Sequence, residues 1–138
     1  MDQTQIDRTA AAQSPFARHL GLRVISASTS ELVAELPVSA TLLNRNGTLH
    51  GGAVMGLADN MGGTLTILNL AEGEGTATIE SKTNFFRPVA AGDTVRAVCT
   101  VLHRGRRTVV VQTTILRGDG KLAAQVVQTQ MVMAPGGA

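Results

Sequence analysis

The spacing of apolar and polar residues changes character along the chain. From Gly51 to Leu70 almost every residue is apolar or small, which predicts one long helix. Residues 76–86 instead alternate, and alternation predicts a strand with two distinct faces. One expected face carries Thr76, Thr78, Glu80, Lys82 and Asn84, and the other carries Ala77, Ile79, Ser81, Thr83 and Phe85.

Turn and cap residues divide the rest of the chain into short elements. Ser14, Pro15 and Gly21 suit the N-cap, the first turn and the stop of a short helix. Residues 22–38 predict two strands around a turn near residues 28–30. Three further strand-like runs follow at Thr94–Leu102, Thr108–Leu116 and Leu122–Met133.

One central helix and about five or six strands indicate an α+β domain with the helix packed on one sheet face. The last four strands are joined by short connections, so we expect them to be antiparallel neighbours. Residues 1–13 are mostly polar or small and are predicted to be a flexible tail. Residues 14–138 are predicted to form a single domain.

Composition argues against two classes of partner. The chain has no Trp, no Tyr and three Phe, which leaves little for stacking on nucleic acid. Polar residues such as Asp59 and Asn60 interrupt the apolar segment, so we expect no membrane span. One cysteine and a polar N-terminus without a signal-peptide core predict a cytoplasmic protein.

The sequence His50-Gly51-Gly52 lies where the long helix is expected to begin. The first turn of a helix has free N–H groups and the positive end of the dipole. A carbonyl oxygen brought to the Gly51 N–H would be polarised there, as in an oxyanion hole. The alternative is that the two glycines only make a tight turn into the helix.

Asp59 is the one charged residue between Gly51 and Leu70. It is a candidate general base or nucleophile beside the carbonyl that Gly51 would polarise. The alternative is a structural Asp that caps another element or pairs with an Arg. The face of the helix that carries Asp59 is expected to be lined by glycines, which lack side chains, at Gly52, Gly56, Gly62 and Gly63.

Three other polar residues are weaker candidates on their own. Asn44 could donate to a carbonyl or hold a water, or it could only form a turn. His50 could act as a base, although a histidine at a helix start is more often structural. Thr78 places a hydroxyl on the predicted strand. No metal site is predicted, because His19, His50 and His103 are scattered.

The segments NRNGTLHGGAVMGLADNMGG, FFRPVAAGD and GRRTVVVQTTILRGDGKLAAQVVQTQMVM resemble the hotdog-fold acyl-CoA thioesterases, in the phenylacetate-pathway (PaaI-like) branch. The likeness spans Ser14 to Met133. It implies a curved antiparallel sheet wrapped around one long helix. It also implies a homodimer, usually paired into a dimer of dimers, with each active site built across the dimer interface and no cofactor beyond the CoA of the substrate.

The resemblance assigns roles residue by residue. Asp59 matches the catalytic carboxylate, and Gly51 matches the residue whose N–H polarises the thioester carbonyl. Asn44 matches a loop Asn that helps to bind the carbonyl or the attacking water. Thr78 matches a Ser or Thr that some relatives contribute from the partner subunit. Another hotdog branch places a Thr one turn after its carboxylate, where this chain has Gly63.

The acyl-CoA substrate implied by the resemblance directs attention to cationic and apolar side chains. Guanidinium groups bind phosphate in a bidentate manner, which makes the arginines candidates for the CoA phosphates. These are Arg87, Arg104, Arg106 and Arg107, although the last three could simply form a solvated hairpin turn. An apolar acyl wall is expected from Met55, Met61, Leu65 and Phe85, next to Gly52.

Two other functions fit the same fold. A hotdog hydratase or dehydratase uses a histidine with a carboxylate in motifs that this sequence lacks. A non-catalytic acyl-CoA-binding protein would have no need of Asp59. The sequence therefore favours thioester hydrolysis, while the acyl group and the choice between base and nucleophile for Asp59 stay open.

Overall fold

The computed structural model describes residues 2–136, which form a six-stranded antiparallel sheet packed against one long helix. The helices are α1 (Gln3–Ala11), α2 (Pro15–Leu20) and α3 (Gly51–Ile67), with a 3-10 turn at Ala40–Leu42. The strands are β1 (Arg23–Ala27), β2 (Glu31–Pro37), β3 (Gly75–Phe85), β4 (Thr94–Arg104), β5 (Thr108–Leu116) and β6 (Leu122–Met133). The predicted α+β class with a long central helix is confirmed.

The strands are ordered β1-β2-β4-β5-β6-β3 across the sheet, and every neighbouring pair is antiparallel. The prediction that the last four strands follow one another as neighbours is therefore wrong for β3, which pairs with β6. The connection after β3 explains the difference. It crosses beside the loop before α3, where Leu49 N donates to Val89 O at 2.8 Å and Thr48 bridges Ala90. The chain then enters β4 beside β2, far from β3.

The core lies between α3 and the concave face of the sheet. Leu57, Met61 and Leu65 of α3 are fully buried and belong to one apolar cluster with side chains of β4 and β5. Burying a side chain of this size stabilises the fold by about 1.5–3 kcal/mol. The same cluster holds the helix at a fixed depth against the sheet, which fixes the residues on its other sides.

A β-bulge changes which side chains of β3 face the helix. The register with β6 shifts between Thr78 and Glu80, so Thr78 pairs with Gln130 while Ser81 pairs with Gln128. Both glutamines are buried on the inner face. The strict alternation expected for residues 76–86 is therefore wrong beyond the bulge, because the extra residue reverses the facing of all that follow.

The N-terminal segment also differs from its prediction as a flexible tail. Residues Gln3–Ala11 form α1, and the Asp2 side chain caps it by accepting from Thr4 N at 2.9 Å. The helix packs on β1 and buries Thr9. Just after α1, Gln13 Oε1 accepts from Asn60 Nδ2 at 2.6 Å, which ties the segment to α3.

The short helix α2 follows its predicted signals. Ser14 Oγ accepts from Ala17 N at 3.1 Å, Pro15 occupies the first turn, and Gly21 ends the helix at a φ of 87°. A left-handed φ of this kind favours glycine because it has no Cβ.

In the part of the chain that is described, residues 2–136, none of the helices is long and apolar enough to cross a membrane.

The buried thiol of Cys99 generates a prediction on pH and stability. Desolvation by burial raises the pKa of Cys99 to about 11 from its ordinary value of 9.0, with a smaller opposing effect from the nearby Thr113 hydroxyl. The thiol loses its proton more readily in the unfolded chain. Its contribution to stability is therefore complete below pH 9 and is lost as the pH rises toward 11.

Urea unfolding of the wild type and of Cys99→Ala between pH 8 and pH 11 measures this effect. The wild type should lose about 2 kcal/mol more stability than the variant over that range. Two curves that fall in parallel would show that the thiol does not couple to folding.

Candidate active site

Asp59 lies at the mouth of an open pocket of about 380 Å³ between α2, α3 and β3. Its side chain is exposed, whereas the neighbouring residues Leu57 and Ala58 are buried. Oδ1 of Asp59 accepts a hydrogen bond from Thr78 Oγ1 at 2.7 Å and another from Gln128 Nε2 at 3.1 Å. Among residues 2–136, no side chain donates to Oδ2, so one carboxylate oxygen is held by two donors and the other is left free to accept.

Behind Thr78 the hydrogen bonds continue along β6 and β3. Gln130 Nε2 donates to Thr78 Oγ1 at 2.6 Å, and the Thr76 hydroxyl lies 3.0 Å from both Gln130 Oε1 and Met131 O, either of which can accept its proton. A hydroxyl has one proton to give. Because that of Thr78 goes to Asp59, the network points its donors toward the carboxylate.

The same contact places Thr78 beside the Asp59 of its own chain. Its hydroxyl donates to Asp59 Oδ1 from the face of β3 that meets α3. The role from the partner subunit that the resemblance implies for Thr78 concerns a dimer and stays a prediction.

Gly51 lies in a second pocket, of about 340 Å³, at the other end of α3. His50 is the N-cap of the helix, and its Nδ1 accepts from Gly52 N at 2.8 Å. In residues 2–136 no group accepts from the Gly51 N–H, which is left as a free donor. The imidazole Nδ1 of His50 is occupied as a cap, which supports the structural alternative for His50.

Asn44, Phe85 and Arg87 line the same pocket as Gly51. The Asn44 side chain mainly organises its own loop, because Oδ1 accepts from Asn46 N and Thr48 N while Nδ2 donates to Thr48 Oγ1. An amide carries two donor hydrogens, so one of them stays available to a ligand. The Phe85 ring lies 3.3 Å from where a Cβ on Gly51 would stand.

Gly51 and Asp59 do not border one volume within a single chain. They are eight residues apart on a continuous helix, a separation of roughly 12 Å along its axis. They also line different pockets. The expectation that both groups meet one small volume is therefore wrong for the isolated chain, because the helix is too rigid to bring them together.

The glycines of α3 serve different surroundings. Gly56 and Gly63 line the Asp59 pocket, whereas Gly62 is buried and a Cβ there would collide with the Gln128 side chain. Gly52 is exposed at the helix start and lies in neither pocket. The predicted single glycine face is thus divided between the pocket and the sheet.

Two methionines predicted for the acyl wall occupy different environments. Met61 is 0% exposed and belongs to the core, as does Leu65, so their predicted place in a binding wall is wrong. Both lie on the face of α3 that packs against the sheet. Met55 is 42% exposed on the outer side of α3, where a substrate or a second chain can contact it.

The predicted arginines separate into three groups. Arg104 donates through Nη2 to Asn69 O at 2.7 Å, which ties β4 to the end of the segment that follows α3. Arg106 and Arg107 are exposed in the β4–β5 turn and line neither pocket. Arg87 is at the Gly51 pocket, where Nη1 donates to Leu122 O at 2.8 Å.

Sequence reasoning missed Thr76, Gln128 and Gln130, which complete the network around Asp59. A signal was present in β6. Ala124 and Val126 mark its inward positions, and the glutamines continue the same alternation at positions 128 and 130. A polar side chain on the core face of a strand needs a partner, and here that partner is a carboxylate or its neighbour.

Known proteins share both the sequence pattern and the fold. Residues 46–124 match the family model of the thioesterase superfamily. The proofreading thioesterase EntH of Klebsiella pneumoniae is 34% identical over 99 residues, which cover 72% of each chain. The acyl-coenzyme A thioesterase PaaI of Escherichia coli is 32% identical over 110 residues, 78% of this chain and 75% of PaaI. The solved structure of E. coli PaaI superposes with a TM-score of 0.85 at 26% identity, covering 96% of both chains.

Proposed function

The chain belongs to the thioesterase superfamily, in its PaaI-like branch, and we propose that it hydrolyses acyl-CoA thioesters at a site shared by two subunits. Thioester hydrolysis is the activity for which its relatives EntH and PaaI are named. The choice of acyl-CoA follows PaaI, whose name specifies that substrate. Arg87 at the Gly51 pocket and the exposed Arg106 and Arg107 are the groups we propose for the CoA phosphates.

The separation of Gly51 from Asp59 is the observation that carries the shared site. A carbonyl polarised at Gly51 lies about two helical turns from the Asp59 of the same chain. If two α3 helices run antiparallel about a two-fold axis, the point midway between residues 51 and 59 falls near Met55. Asp59 of one chain then faces the partner subunit's Gly51, and the symmetry makes two identical sites.

The surface of the single chain supports this pairing. β3 is an edge strand of eleven residues, and its outer edge is open to another strand. Long exposed edges are templates for pairing with a second chain. Ile79 and Phe85 on this strand are 56% and 55% exposed, and Met55 of α3 is also exposed. A β3–β3 contact would cover this apolar surface, and pairing of such dimers would give the dimer of dimers.

Each group in the proposed site has one chemical task. The Gly51 N–H holds the thioester oxygen and stabilises the negative charge that grows on it. Oδ2 of Asp59 takes a proton from water, whose oxygen attacks the carbonyl carbon; attack by Oδ2 itself, through a mixed anhydride, leads to the same products. The tetrahedral intermediate then expels the CoA thiolate, which takes up a proton. Asn44 assists with its free amide hydrogen.

Replacing the carboxylate tests the role of Asp59. Asp59→Asn keeps the shape of the side chain but cannot accept a proton at neutral pH. We expect kcat on an acyl-CoA that the wild type hydrolyses to fall by roughly 10²–10⁴-fold. Asp7→Asn is the matched control, since Asp7 lies on the surface of α1 and bonds only the Gln3 side chain. Activity of Asp59→Asn within a few-fold of the control would remove Asp59 from the mechanism.

A side chain at Gly51 tests the oxyanion donor. The branched side chain of Gly51→Val would press on the Phe85 ring and occupy the approach to the N–H without removing it. We expect kcat to fall on the order of 10²–10³-fold, the usual loss for one oxyanion donor. Melting temperature is the control for damage to the helix start. Normal turnover in a variant that melts like the wild type would mean that the carbonyl binds elsewhere.

A further inference from the structure

Gln128 on β6 is the second donor to the Asp59 carboxylate, with Nε2 lying 3.1 Å from Oδ1. We propose that Gln128 is a positioning residue for the reaction and that Gly62 is glycine in order to admit its carboxamide. The proposal rests on the proposed role of Asp59. It concerns the orientation of that carboxylate, which the proposed reaction does not by itself specify.

The environment of Gln128 is unfavourable for a residue that only fills space. Its side chain is 0% exposed and is among the largest that are fully buried. Within residues 2–136, Oε1 has no hydrogen-bond partner. A buried amide with an orphaned oxygen costs free energy, whereas an apolar side chain of the same size would not. The compensating contact that Gln128 does make is the one to Asp59.

The absence of a side chain at Gly62 makes room for the carboxamide of Gln128. A Cβ on Gly62 would lie 2.5 Å from Gln128 Oε1 and 2.7 Å from Nε2, which no side chain tolerates. The carboxamide therefore rests directly on the helix backbone, three residues after Asp59. Glycine in a helix interior is unfavourable relative to alanine. At the next position, Gly63, a Cβ would meet nothing within 4 Å, so the close approach is specific to Gly62.

Two donors on the same oxygen determine how the carboxylate is presented. Thr78 reaches Oδ1 from β3 and Gln128 reaches it from β6. Together they restrict rotation of the Asp59 side chain and leave Oδ2 as the oxygen free to take a proton from water. Catalysis depends steeply on such orientation, because a misplacement of about 1 Å can cost a hundredfold in rate. Loss of Gln128 should therefore lower kcat and spare substrate binding.

Gln128→Met is the direct test, because methionine matches the length of glutamine and removes the amide donor. We expect kcat to fall roughly 10–100-fold, the range for losing one hydrogen bond to a charged group. KM and melting temperature should stay close to wild type, since the variant also removes the orphaned oxygen. Gln125→Met, the same change on the opposite face of β6, is the control and should keep wild-type kcat.

Gly62→Ala tests the contact between Gly62 and Gln128 by changing the helix residue instead of the strand residue. The added Cβ would displace the carboxamide, so kcat should fall while the helix is retained. In the Gln128→Ala background the same change should cost no further kcat and should raise the melting temperature, because alanine favours the helix. This non-additive cycle is the signature of a direct interaction between the two positions.

The outcomes separate the two proposals. Wild-type kcat in folded Gln128→Met, alongside an inactive Asp59→Asn, would overturn the positioning role and leave the proposed function standing. If Gln128→Met does not fold, Gly62→Ala decides. Lost kcat at a normal melting temperature supports the role, and unchanged kcat overturns it. An active Asp59→Asn would overturn both the function proposed for Asp59 and the role of Gln128.

Discussion

A continuous α-helix fixes the distance between any two of its residues. In this chain that constraint places the free N–H of Gly51 and the carboxylate of Asp59 roughly 12 Å apart, because eight residues of α3 separate them. The apolar cluster beneath α3 prevents the helix from bending to close the gap. Within one chain, the two groups therefore line separate pockets and cannot contact the same carbonyl. The proposed site accordingly takes one group from each of two chains.

The long helix α3 makes apolar contacts on one side and polar contacts on the other. Leu57, Met61 and Leu65 anchor it to the sheet with apolar contacts. On its other side the helix faces β3 and the end of β6. Hydroxyl and carboxamide groups of these two strands donate hydrogen bonds toward Asp59. The apolar side holds the backbone in place, and the polar side then sets the direction of one carboxylate. The contacts that anchor the helix and the contacts that orient Asp59 thus lie on different sides of the same seventeen-residue element.

Local signals in the sequence predicted much of this structure. The cap at Ser14 and the stop at Gly21 gave α2, and the apolar run gave a long helix that begins at Gly51. Cap and turn residues do not specify which strands pair over long sequence distances. The pairing of β3 with β6 was therefore not predicted. The bulge after Thr78 and the buried contact of Gln128 depend on that pairing. They therefore escaped prediction, as did the placement of Met61 in the core.

Complementation between two inactive subunits tests the shared site most directly. A purified heterodimer of Asp59→Asn and Gly51→Val chains would combine both lesions in one site and leave the other intact. A site shared across a two-fold axis predicts about half the wild-type activity per dimer, although each parent is inactive. A heterodimer as inactive as its parents, with its assembly verified, would place each complete site within one chain and contradict the shared arrangement.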